Sequence, residues 1–471
     1  MAGFHIEHFG CRAARADGEA IAGNLRAMSE LEPLAADVVI VNTCSVTAEA
    51  DRAARAFIRR AHRKNPAAKI VVTGCYAQRA PDELAAMAGV AAVVGNSHKA
   101  LAPEIIRNLT RESERTATQP PRLVPVAQLL AASGPSAPIS APIWADDRFA
   151  HSFIEDVHWG DTQPAPGAQT RPNLKIQEGC GNRCTFCVIP MTRGPSKSLP
   201  HAVVMRRVED FVAAGGNELV LSGINLGRWG RDVAASSRET FAGLVRSILE
   251  QTALPRLRLS SIEPMDWDDE LIVLMREFGG RRLARHAHLP LQSGSDAVLR
   301  RMHRRYRPWH YAGKVAALLD AAGPDLTLGA DVMVGFPGET DAEFEETLAF
   351  IRSLPFGYLH LFPFSARPGT RAWALHQTSP VPQAAVAERI SALRKLAAEK
   401  SQAHRSRFLG RELEAITLHT PAALAGQGRT TALTENFLPV ELEGCLSANR
   451  LVRAQITGLS SESTLLATAL P

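Results

Sequence analysis

The nine residues GCGNRCTFC at positions 179–187 place Cys180, Cys184 and Cys187 at the spacing C-x3-C-x2-C. They follow directly after a predicted buried strand at 174–178. Three thiolates can hold three corners of a [4Fe–4S] cluster, and with no further cysteine nearby one iron stays open to another ligand. The alternative is a zinc site, which takes four closed ligands, but no histidine follows closely after Cys187. The spacing therefore favours an iron–sulfur site with an open iron at the carboxyl end of a strand, where barrel active sites lie.

The chain around this stretch alternates strands and helices from residue 173 to 405. Helical spacing appears between the strands, for example over Pro308–Ala322, and a last helix covers 382–405. Strands are predicted at 174–178, 218–223, 256–262, 286–292, 328–335 and 358–364. Six such units predict an open (βα)6 barrel rather than a full barrel of eight.

The first 112 residues form a second α/β pattern and contain three more cysteines. Continuous β-branched runs such as Val-Val-Ile-Val at 38–41 alternate with helical segments, which predicts a parallel sheet covered on both faces. Cys11, Cys44 and Cys75 each come just after a predicted strand. Strand carboxyl ends face one side of such a sheet, so the cysteines are expected to converge on a metal. The alternative is that they are small core residues, which are common.

Two other segments differ from this alternation. Residues 113–172 contain nine of the 30 prolines and are predicted to be a Pro/Ala-rich linker or insertion. Residues 406–471 contain short strands at 413–418, 428–433, 437–442 and 450–457, which predict a small antiparallel β-barrel. The expected division is therefore 1–112, 113–172, 173–405 and 406–471.

The composition excludes several classes of protein. The 471 residues are 45% hydrophobic, with a net charge of +5 and a mean hydropathy of −0.07, which is typical of soluble globular domains. No apolar run is long enough for a bilayer, and the N-terminus has no signal-peptide pattern, so a cytoplasmic location is expected. An odd count of seven cysteines in such a chain argues against a disulfide framework. Cys445 stands alone and is predicted to be a core residue.

The C-x3-C-x2-C motif, with an aromatic residue before its last cysteine, resembles that of the radical S-adenosylmethionine (SAM) superfamily. With the second cysteine set, the chain resembles the methylthiotransferases of that superfamily (MiaB, MtaB and RimO types) along nearly its whole length. The matching motifs are NTC at 42–44, TGCYAQ at 73–78, LPLQSGS at 289–295 and GFPGET at 335–340. VTAEAD at 46–51 and LSSIEP at 259–264 look most like the MtaB branch. The insertion at 113–172 departs from the family, where this junction is usually shorter.

The resemblance implies a radical-SAM barrel between an N-terminal methylthiotransferase domain and a C-terminal TRAM-like barrel. It implies two [4Fe–4S] clusters, one on Cys180, Cys184 and Cys187 with SAM on its open iron, and an auxiliary one on Cys11, Cys44 and Cys75. The implied reaction is 2-methylthiolation of N6-threonylcarbamoyladenosine at position 37 of tRNA. Alternatives are methylthiolation of N6-isopentenyladenosine or of a ribosomal protein aspartate. An alternative of another class is a non-catalytic iron–sulfur protein that binds RNA or carries electrons. Full cysteine ligation of both clusters would favour that alternative.

Three further residues resemble SAM-binding positions of the superfamily. Glu218 follows Gly215-Gly216-Asn217 and resembles a Gly-Gly-Glu segment, although an acidic residue that opens a strand is often only solvated. Phe186 is placed to contact adenine or simply to pack beside the cluster. Gly335 permits close backbone approach to a ligand, or forms a turn after a strand.

Charge is concentrated near the fourth barrel strand. Residues 281–314 contain nine Lys and Arg and one acid, which gives a local charge of +8. This set predicts tRNA phosphate binding by Arg301, Arg304 and Arg305, against the alternative of a solvated helix face. A second basic row, from Arg52 to Arg63, follows Cys44. The expected partners are a tRNA substrate and a reducing electron donor, with no membrane contact, and the chain is expected to be monomeric. The sulfur source is left open.

Overall fold

The structure is a computed structural model that describes residues 3–31, 37–118, 140–154, 170–233, 239–460 and 464–470. These residues form two compact units. Within the described ranges, the first unit contains 3–31, 37–118, 140–154, 178–181 and 188–195. The second contains 170–177, 182–187, 196–233, 239–460 and 464–470. None of the described helices combines the length and apolar character that crossing a bilayer requires.

The first unit is a parallel α/β sheet of five strands in the order β1-β2-β3-β4-β5. The strands are β1 (Phe4–His8), β2 (Val38–Thr43), β3 (Lys69–Gly74), β4 (Val90–Gly95) and β5 (Ile143–Trp144). The helices are α1 (Arg12–Leu31), α2 (Ala48–Lys64), α3 (Cys75–Arg79), α4 (Pro81–Ala85), α5 (Ala102–Thr118) and α6 (Ile189–Arg193), with a 3-10 turn at Asn96–Leu101. Of the predicted linker at 113–172, residues 119–139 and 155–169 lie outside the described residues.

Both faces of this sheet are buried, as the unbroken β-branched runs predict. Ile40 and Val71 belong to one core cluster, whereas Val41 and Val72 belong to another, so alternate residues of one strand face opposite cores. At the start of α2, the hydroxyl of Thr47 accepts a hydrogen bond from the backbone N–H of Ala50 at 3.2 Å. This cap fixes where the helix begins after the Cys44 loop.

The second unit contains the six predicted barrel strands in two parallel sets. These six are β6 (Asn173–Glu178), β8 (Glu218–Gly223), β9 (Arg256–Leu259), β10 (His286–His288), β11 (Thr327–Val334) and β12 (Phe356–Pro363). A seventh strand of two residues, β7 (Lys197–Ser198), lies beside β6. Strands β6, β8 and β9 pair in parallel, as do β10, β11 and β12. A parallel bridge between Leu257 and Leu283 connects β9 to the segment before β10. The arrangement is the predicted open barrel.

Helices alternate with these strands. They are α7 (His201–Ala213), α8 (Phe241–Gln251), α9 (Asp269–Phe278), α10 (Asp296–Arg301), α11 (Pro308–Ala322), α12 (Asp341–Ser353), α13 (Arg371–Thr378) and α14 (Gln383–Ser406). The predicted helix at 308–322 has the same bounds in the structure. Helix α12 begins with a complete capping box between Thr340 and Glu343, which accounts for its sharp start.

The C-terminal part of the second unit is a closed β-barrel of five strands. They are β13 (Glu412–Thr417), β14 (Arg429–Thr434), β15 (Pro439–Glu443), β16 (Leu451–Leu459) and β17 (Leu465–Ala469), with a short helix α15 (Ala422–Ala425). The four predicted strands are present, and β17 was missed because alanine is a weak strand former. The pairing is antiparallel except between β15 and β17, whose parallel pairing closes the barrel.

Candidate functional site

Cys11, Cys44 and Cys75 lie just past the carboxyl ends of three adjacent parallel strands, β1, β2 and β3. The chain at Cys11 runs directly against Cys44, because a Cβ at Gly10 would lie only 2.8 Å from Cβ of Cys44. Gly10 also has a φ of +133°, so both its conformation and its surroundings favour glycine. The structure therefore brings together three cysteines that are up to 64 positions apart (75 − 11) in the sequence.

The sulfur of Cys75 is surrounded by hydrogen-bond donors. Nδ2 of Asn96 lies 3.4 Å from Sγ, and Nε of Arg193 lies 3.3 Å from it. Asn96 also donates from Nδ2 to the carbonyl oxygen of Thr192 at 2.8 Å, which orients its amide. Hydrogen bonds to sulfur stabilise a thiolate, the form in which cysteine binds metal.

Arg193 belongs to a buried group of four charged side chains in the first unit. Its Nη1 is 2.9 Å from Asp17 and 2.8 Å from Glu178, and the Lys99 ammonium is 3.0 Å and 2.7 Å from the same two carboxylates. All four side chains are at most 4% exposed. Two acids offset two bases, so the group holds the Arg193 guanidinium against Cys75 without leaving an uncompensated buried charge. No sequence motif indicated Arg193, Lys99 or Asp17, because their partners are distant in the sequence.

The Cys44 thiol is buried among the other two cysteines and is a poor acid. Burial, followed by the nearby Cys75 and Cys11, raises the pKa of Cys44 to about 12. Three sulfurs crowded at one sheet edge, with a guanidinium beside one of them, fit a cationic metal cluster that replaces their protons. The donor set is therefore compatible with an iron–sulfur cluster.

The C-x3-C-x2-C loop is held in both units. In the second unit, the backbone N–H of Cys187 donates to the carbonyl oxygen of Cys184 at 3.2 Å, which forms a turn. Thr185 between them donates from its backbone N–H to Met302 O at 3.1 Å and from Oγ1 to Arg301 O at 2.9 Å. In the first unit, the N–H of Cys180 donates to Gly194 O at 3.1 Å, and Gly179 has a φ of +68°. Each part of the motif is thus held by backbone hydrogen bonds within its own unit.

Arg304, predicted to bind RNA, has a different environment. Its side chain is only 5% exposed, and Nη2 lies 2.5 Å from Oε2 of Glu263. Nη1 lies 3.4 Å from Sγ of Cys184, and Nε donates to the Tyr306 hydroxyl at 3.2 Å. A guanidinium buried against a carboxylate is not available to a tRNA phosphate. The prediction that Arg304 contacts RNA was therefore wrong. Its guanidinium lies beside a cysteine of the motif.

The other two arginines of the set are also paired. Both Nη atoms of Arg301 donate to Glu343, at 2.8 Å and 2.7 Å, and Arg305 lies 3.4 Å from Asp266. The local charge of +8 overstates the free positive charge of this set, because carboxylates from other segments of the chain pair with it. Arg301 and Arg305 are 31% and 44% exposed, so they still reach solvent, and RNA binding by them stays a prediction.

The expected contact of Glu218 with SAM was wrong. Glu218 is the first residue of β8, at the amino end of the strand, whereas the cysteine motif follows the carboxyl end of the parallel β6. Its carboxylate is fully buried between three arginines, 2.7 Å from Arg258 and 3.2 Å from both Arg171 and Arg256. Burial opposes its charge, but Arg258 and then Arg171 outweigh that effect and lower the pKa of Glu218 to about 2. Its role in the structure is to pair these arginines.

Replacing Glu218 with glutamine is expected to destabilise the second unit by about 3–5 kcal/mol, since it removes the buried carboxylate that three arginines share. The folded-state pKa is below the ordinary 4.5, so this stabilisation is full above about pH 4.5 and lost as the pH falls toward 2. Urea unfolding at several pH values measures both effects. Glu412→Gln is the matched control, since its pair with Arg453 is exposed and worth about 1 kcal/mol or less. Equal unfolding midpoints for the two variants would contradict the prediction.

Phe186 and Gly335 lie in contacting segments of the second unit. The rings of Phe186 and Phe336 are 6.5 Å apart and edge-to-face, and Phe336 directly follows Gly335. Gly335 has a φ of +76°, and its N–H donates to Oε2 of Glu339 at 2.8 Å. The GFPGET motif is thus a tight turn after β11, held by the buried Glu339–Arg389 pair at 2.8 Å. SAM contact by Phe186 and Gly335 stays a prediction.

Cys445 is exposed, so the prediction that it is a core residue was wrong. It lies after β15, and its Sγ is 3.7 Å from the carbonyl oxygen of Ala425. The turn between β15 and β16 carries it to the surface of the barrel.

Comparisons with known proteins agree with this arrangement. Residues 3–95 match the family described as Uncharacterized protein family UPF0004, and residues 174–351 match the Radical SAM superfamily. A protein of Aquifex aeolicus named threonylcarbamoyladenosine tRNA methylthiotransferase MtaB is 33% identical over 421 residues, which cover 89% of this chain and 91% of that protein. This chain belongs to the radical-SAM methylthiotransferase family, which is a family of enzymes.

This methylthiotransferase is also similar to two other proteins, one in sequence and one in structure. A tRNA-2-methylthio-N(6)-dimethylallyladenosine synthase of Parafrankia is 32% identical over 98% of this chain and 85% of its own length. The solved radical S-adenosylmethionine methyltransferase TsrM of Kitasatospora setae is 16% identical, with a TM-score of 0.51 over 71% of this chain and 65% of its own. The similarity to TsrM supports the fold alone.

Proposed function

We propose that this methylthiotransferase converts N6-threonylcarbamoyladenosine in tRNA to its 2-methylthio derivative by radical SAM chemistry. The observation that carries the proposal is the convergence of Cys11, Cys44 and Cys75 beyond three adjacent strands, in a chain that also contains C-x3-C-x2-C. One cysteine triad serves radical formation, and the other provides a place for sulfur delivery. The sequence similarity to MtaB proteins supports the choice of nucleoside.

The residues around each proposed cluster have distinct tasks. Cys180, Cys184 and Cys187 would hold the cluster that binds SAM, and Cys11, Cys44 and Cys75 a second cluster. When bound, the first supplies the electron that cleaves SAM, and the second offers an open iron for sulfur. Arg304 places a fixed positive charge at Cys184, as Arg193 does at Cys75. Both guanidinium groups lie beside a sulfur that would carry negative charge as a metal ligand.

Mass spectrometry of tRNA nucleosides from a strain that lacks this protein tests the proposed function. We expect 2-methylthio-N6-threonylcarbamoyladenosine to disappear and its precursor without the methylthio group to accumulate. Complementation with the wild-type chain is the control. Loss of the 2-methylthio form of isopentenyladenosine instead would favour the alternative nucleoside. Loss of neither would favour the ribosomal protein aspartate or a non-catalytic iron–sulfur protein.

Several finer features belong to the same proposal. The domain limits at 112, 172 and 405, a monomeric state, a separate reducing electron donor and a cytoplasmic location stay predictions. Phe186 and Gly335 are proposed SAM contacts on the basis of the superfamily resemblance alone.

Binding of tRNA phosphates by Arg301 and Arg305 has its own test. Changing both to alanine is expected to weaken tRNA binding and to reduce the slope of log affinity against log salt by about one unit per lost phosphate contact. Affinity measured across a salt series checks this. Arg276→Ala is the matched control, because Arg276 is an exposed arginine paired with the exposed Asp320. An unchanged slope would place the RNA-binding surface elsewhere, with the basic row on α2 as the next candidate.

A further inference from the structure

Three polar side chains lie on one face of the last three barrel strands, and they belong to neither cysteine triad. His288 is the last residue of β10, Asp331 is in the middle of β11, and His360 is in the middle of β12. Asp331 pairs directly with His360 in the sheet register, and His288 pairs with Gly329, two residues before Asp331. Because side chains alternate along a strand, all three point to the same side.

That side is the inner face of the half-barrel. The rings of His286 on β10 and Tyr358 on β12 lie 4.2 Å and 5.5 Å from the Phe437 ring, and the Arg258 guanidinium of β9 lies 5.4 Å from it. Side chains of separate strands converge on one ring only on the concave face of a curved sheet, and His288 and His360 point to that face because they lie two residues beyond His286 and Tyr358. We therefore place His288, Asp331 and His360 on the face that lines the interior.

The three side chains form one hydrogen-bonded group, named here the His-Asp-His group. Nε2 of His288 and Nδ1 of His360 each lie 3.2 Å from Oδ1 of Asp331. The Tyr358 hydroxyl lies 3.0 Å from Nδ1 of His288 and thereby orients that ring. Burial opposes the charge of Asp331, but the hydrogen bonds from His288 and His360 outweigh it and lower the pKa of Asp331. Asp331 therefore stays a carboxylate that holds a proton on the facing nitrogen of each ring.

The outer end of the group is open. The His360 side chain is 60% exposed, whereas His288 is 8% exposed. Within the described residues, Nε2 of His360 has no hydrogen-bond partner, so this nitrogen can bind a polar ligand. With Nδ1 fixed by Asp331, the imidazolium form presents Nε2–H to an anion and has its counter-charge behind it.

Contacts within the second unit connect this group to the cysteine motif. The carbonyl oxygen of His288 accepts a hydrogen bond from the N–H of Ile262 at 3.0 Å. The next residue, Glu263, holds Arg304, and Arg304 contacts Sγ of Cys184. A short chain of contacts thus connects the His-Asp-His group to the motif where the radical would form.

We propose that His360, positioned by Asp331, binds the carboxylate of the threonyl group of the substrate nucleoside. This inference rests on the proposed function and specifies how that site selects its nucleoside. The threonylcarbamoyl substituent ends in a carboxylate, whereas the dimethylallyl substituent of the alternative substrate is wholly apolar. A bound apolar substituent would displace water from His360 and Asp331 without offering a hydrogen bond in its place. Leaving polar groups without hydrogen bonds costs binding free energy, so the site discriminates strongly against such a substituent.

The test compares two anticodon stem–loop RNAs with the anaerobically reconstituted full-length enzyme. One carries N6-threonylcarbamoyladenosine, and the other carries the same nucleoside with its carboxylate as a methyl ester. We expect the wild-type enzyme to prefer the acid in kcat/KM, and His360→Leu to reduce that acid-to-ester preference by about ten- to a hundredfold, the range for hydrogen bonds to charged groups. His360→Gln, which restores a side-chain N–H donor, is expected to recover part of the preference. His310→Leu, at an exposed position of α11, is the matched control and should keep it.

The possible results separate this inference from the proposed function. If the wild-type enzyme methylthiolates neither RNA, the proposed function fails, and this inference fails with it. If it acts on both RNAs without preference, or if His360→Leu keeps the wild-type preference, only the role of His360 is overturned. The role is also overturned if the wild-type protein binds one more Zn²⁺ than His360→Leu does, because the group would then be a cation site.

Discussion

Replacing Cys184 with alanine is expected to abolish the reductive cleavage of SAM. The proposed radical cluster would lose one of its three protein ligands, and Arg304 would lose the sulfur that it contacts at 3.4 Å. The second cysteine triad is untouched, so iron bound after anaerobic reconstitution should fall from about eight to about four atoms per chain. The measurements are 5′-deoxyadenosine formed with a strong reductant, and iron content.

Cys445→Ala is the matched control for this variant. Cys445 is exposed and outside both triads, so its removal should leave iron content and SAM cleavage at wild-type levels. Formation of 5′-deoxyadenosine by Cys184→Ala at the wild-type rate would refute the assignment of the motif to the radical cluster. Loss of iron from Cys445→Ala would show that iron content does not report on the two triads alone.

The strand pattern of this chain could be predicted closely because buried parallel strands are unbroken apolar runs. The β-branched run at 38–41 lies within β2, which spans Val38–Thr43, and β8 was predicted with its observed bounds. The position of each cysteine after a strand then follows from the chain order alone. Since all carboxyl ends of a parallel sheet lie along one edge, convergence of the first triad needed no knowledge of side-chain packing.

The environment of charged residues could not be predicted in this way. Three arginines of the +8 segment pair with Glu263, Glu343 and Asp266, which come from before and after it in the sequence. A charge count over a window cannot include such partners. The prediction for Glu218 failed for a different reason. It relied on the resemblance to a Gly-Gly-Glu segment and not on the position of Glu218 at the start of β8. A residue that opens a parallel strand lies at the amino end of the barrel, opposite the active-site end.

Short or weakly patterned elements were also missed. Strand β5 has two residues, Ile143 and Trp144, and is too short for any periodicity. It pairs with β4 as an edge strand, so tertiary contacts rather than sequence pattern define it. The buried salt-bridge group around Arg193 is similar, because Asp17 and Glu178 meet it from positions 176 and 15 residues away. These features depend on the folded arrangement of distant segments.

Replacing Cys44 with alanine is expected to separate the two chemistries of the enzyme. Cys44 is buried beside Cys11 and Cys75, and it takes no part in the C-x3-C-x2-C loop. The variant should therefore still form 5′-deoxyadenosine from SAM, while 2-methylthiolation of tRNA stops because the proposed site of sulfur delivery has lost a ligand. Iron content should fall by about half, as in Cys184→Ala.

The alternative role of Cys44 makes the opposite prediction. If Cys44 only fills the core, alanine is a small apolar replacement, and the variant should keep both its iron and its methylthiolated tRNA at wild-type levels. Circular dichroism and the urea midpoint of Cys44→Ala, compared with Cys445→Ala, show whether the first unit remains folded. A folded Cys44→Ala protein that cleaves SAM but leaves tRNA without sulfur would assign sulfur delivery to the first triad, since no other change in the protein distinguishes the two reactions.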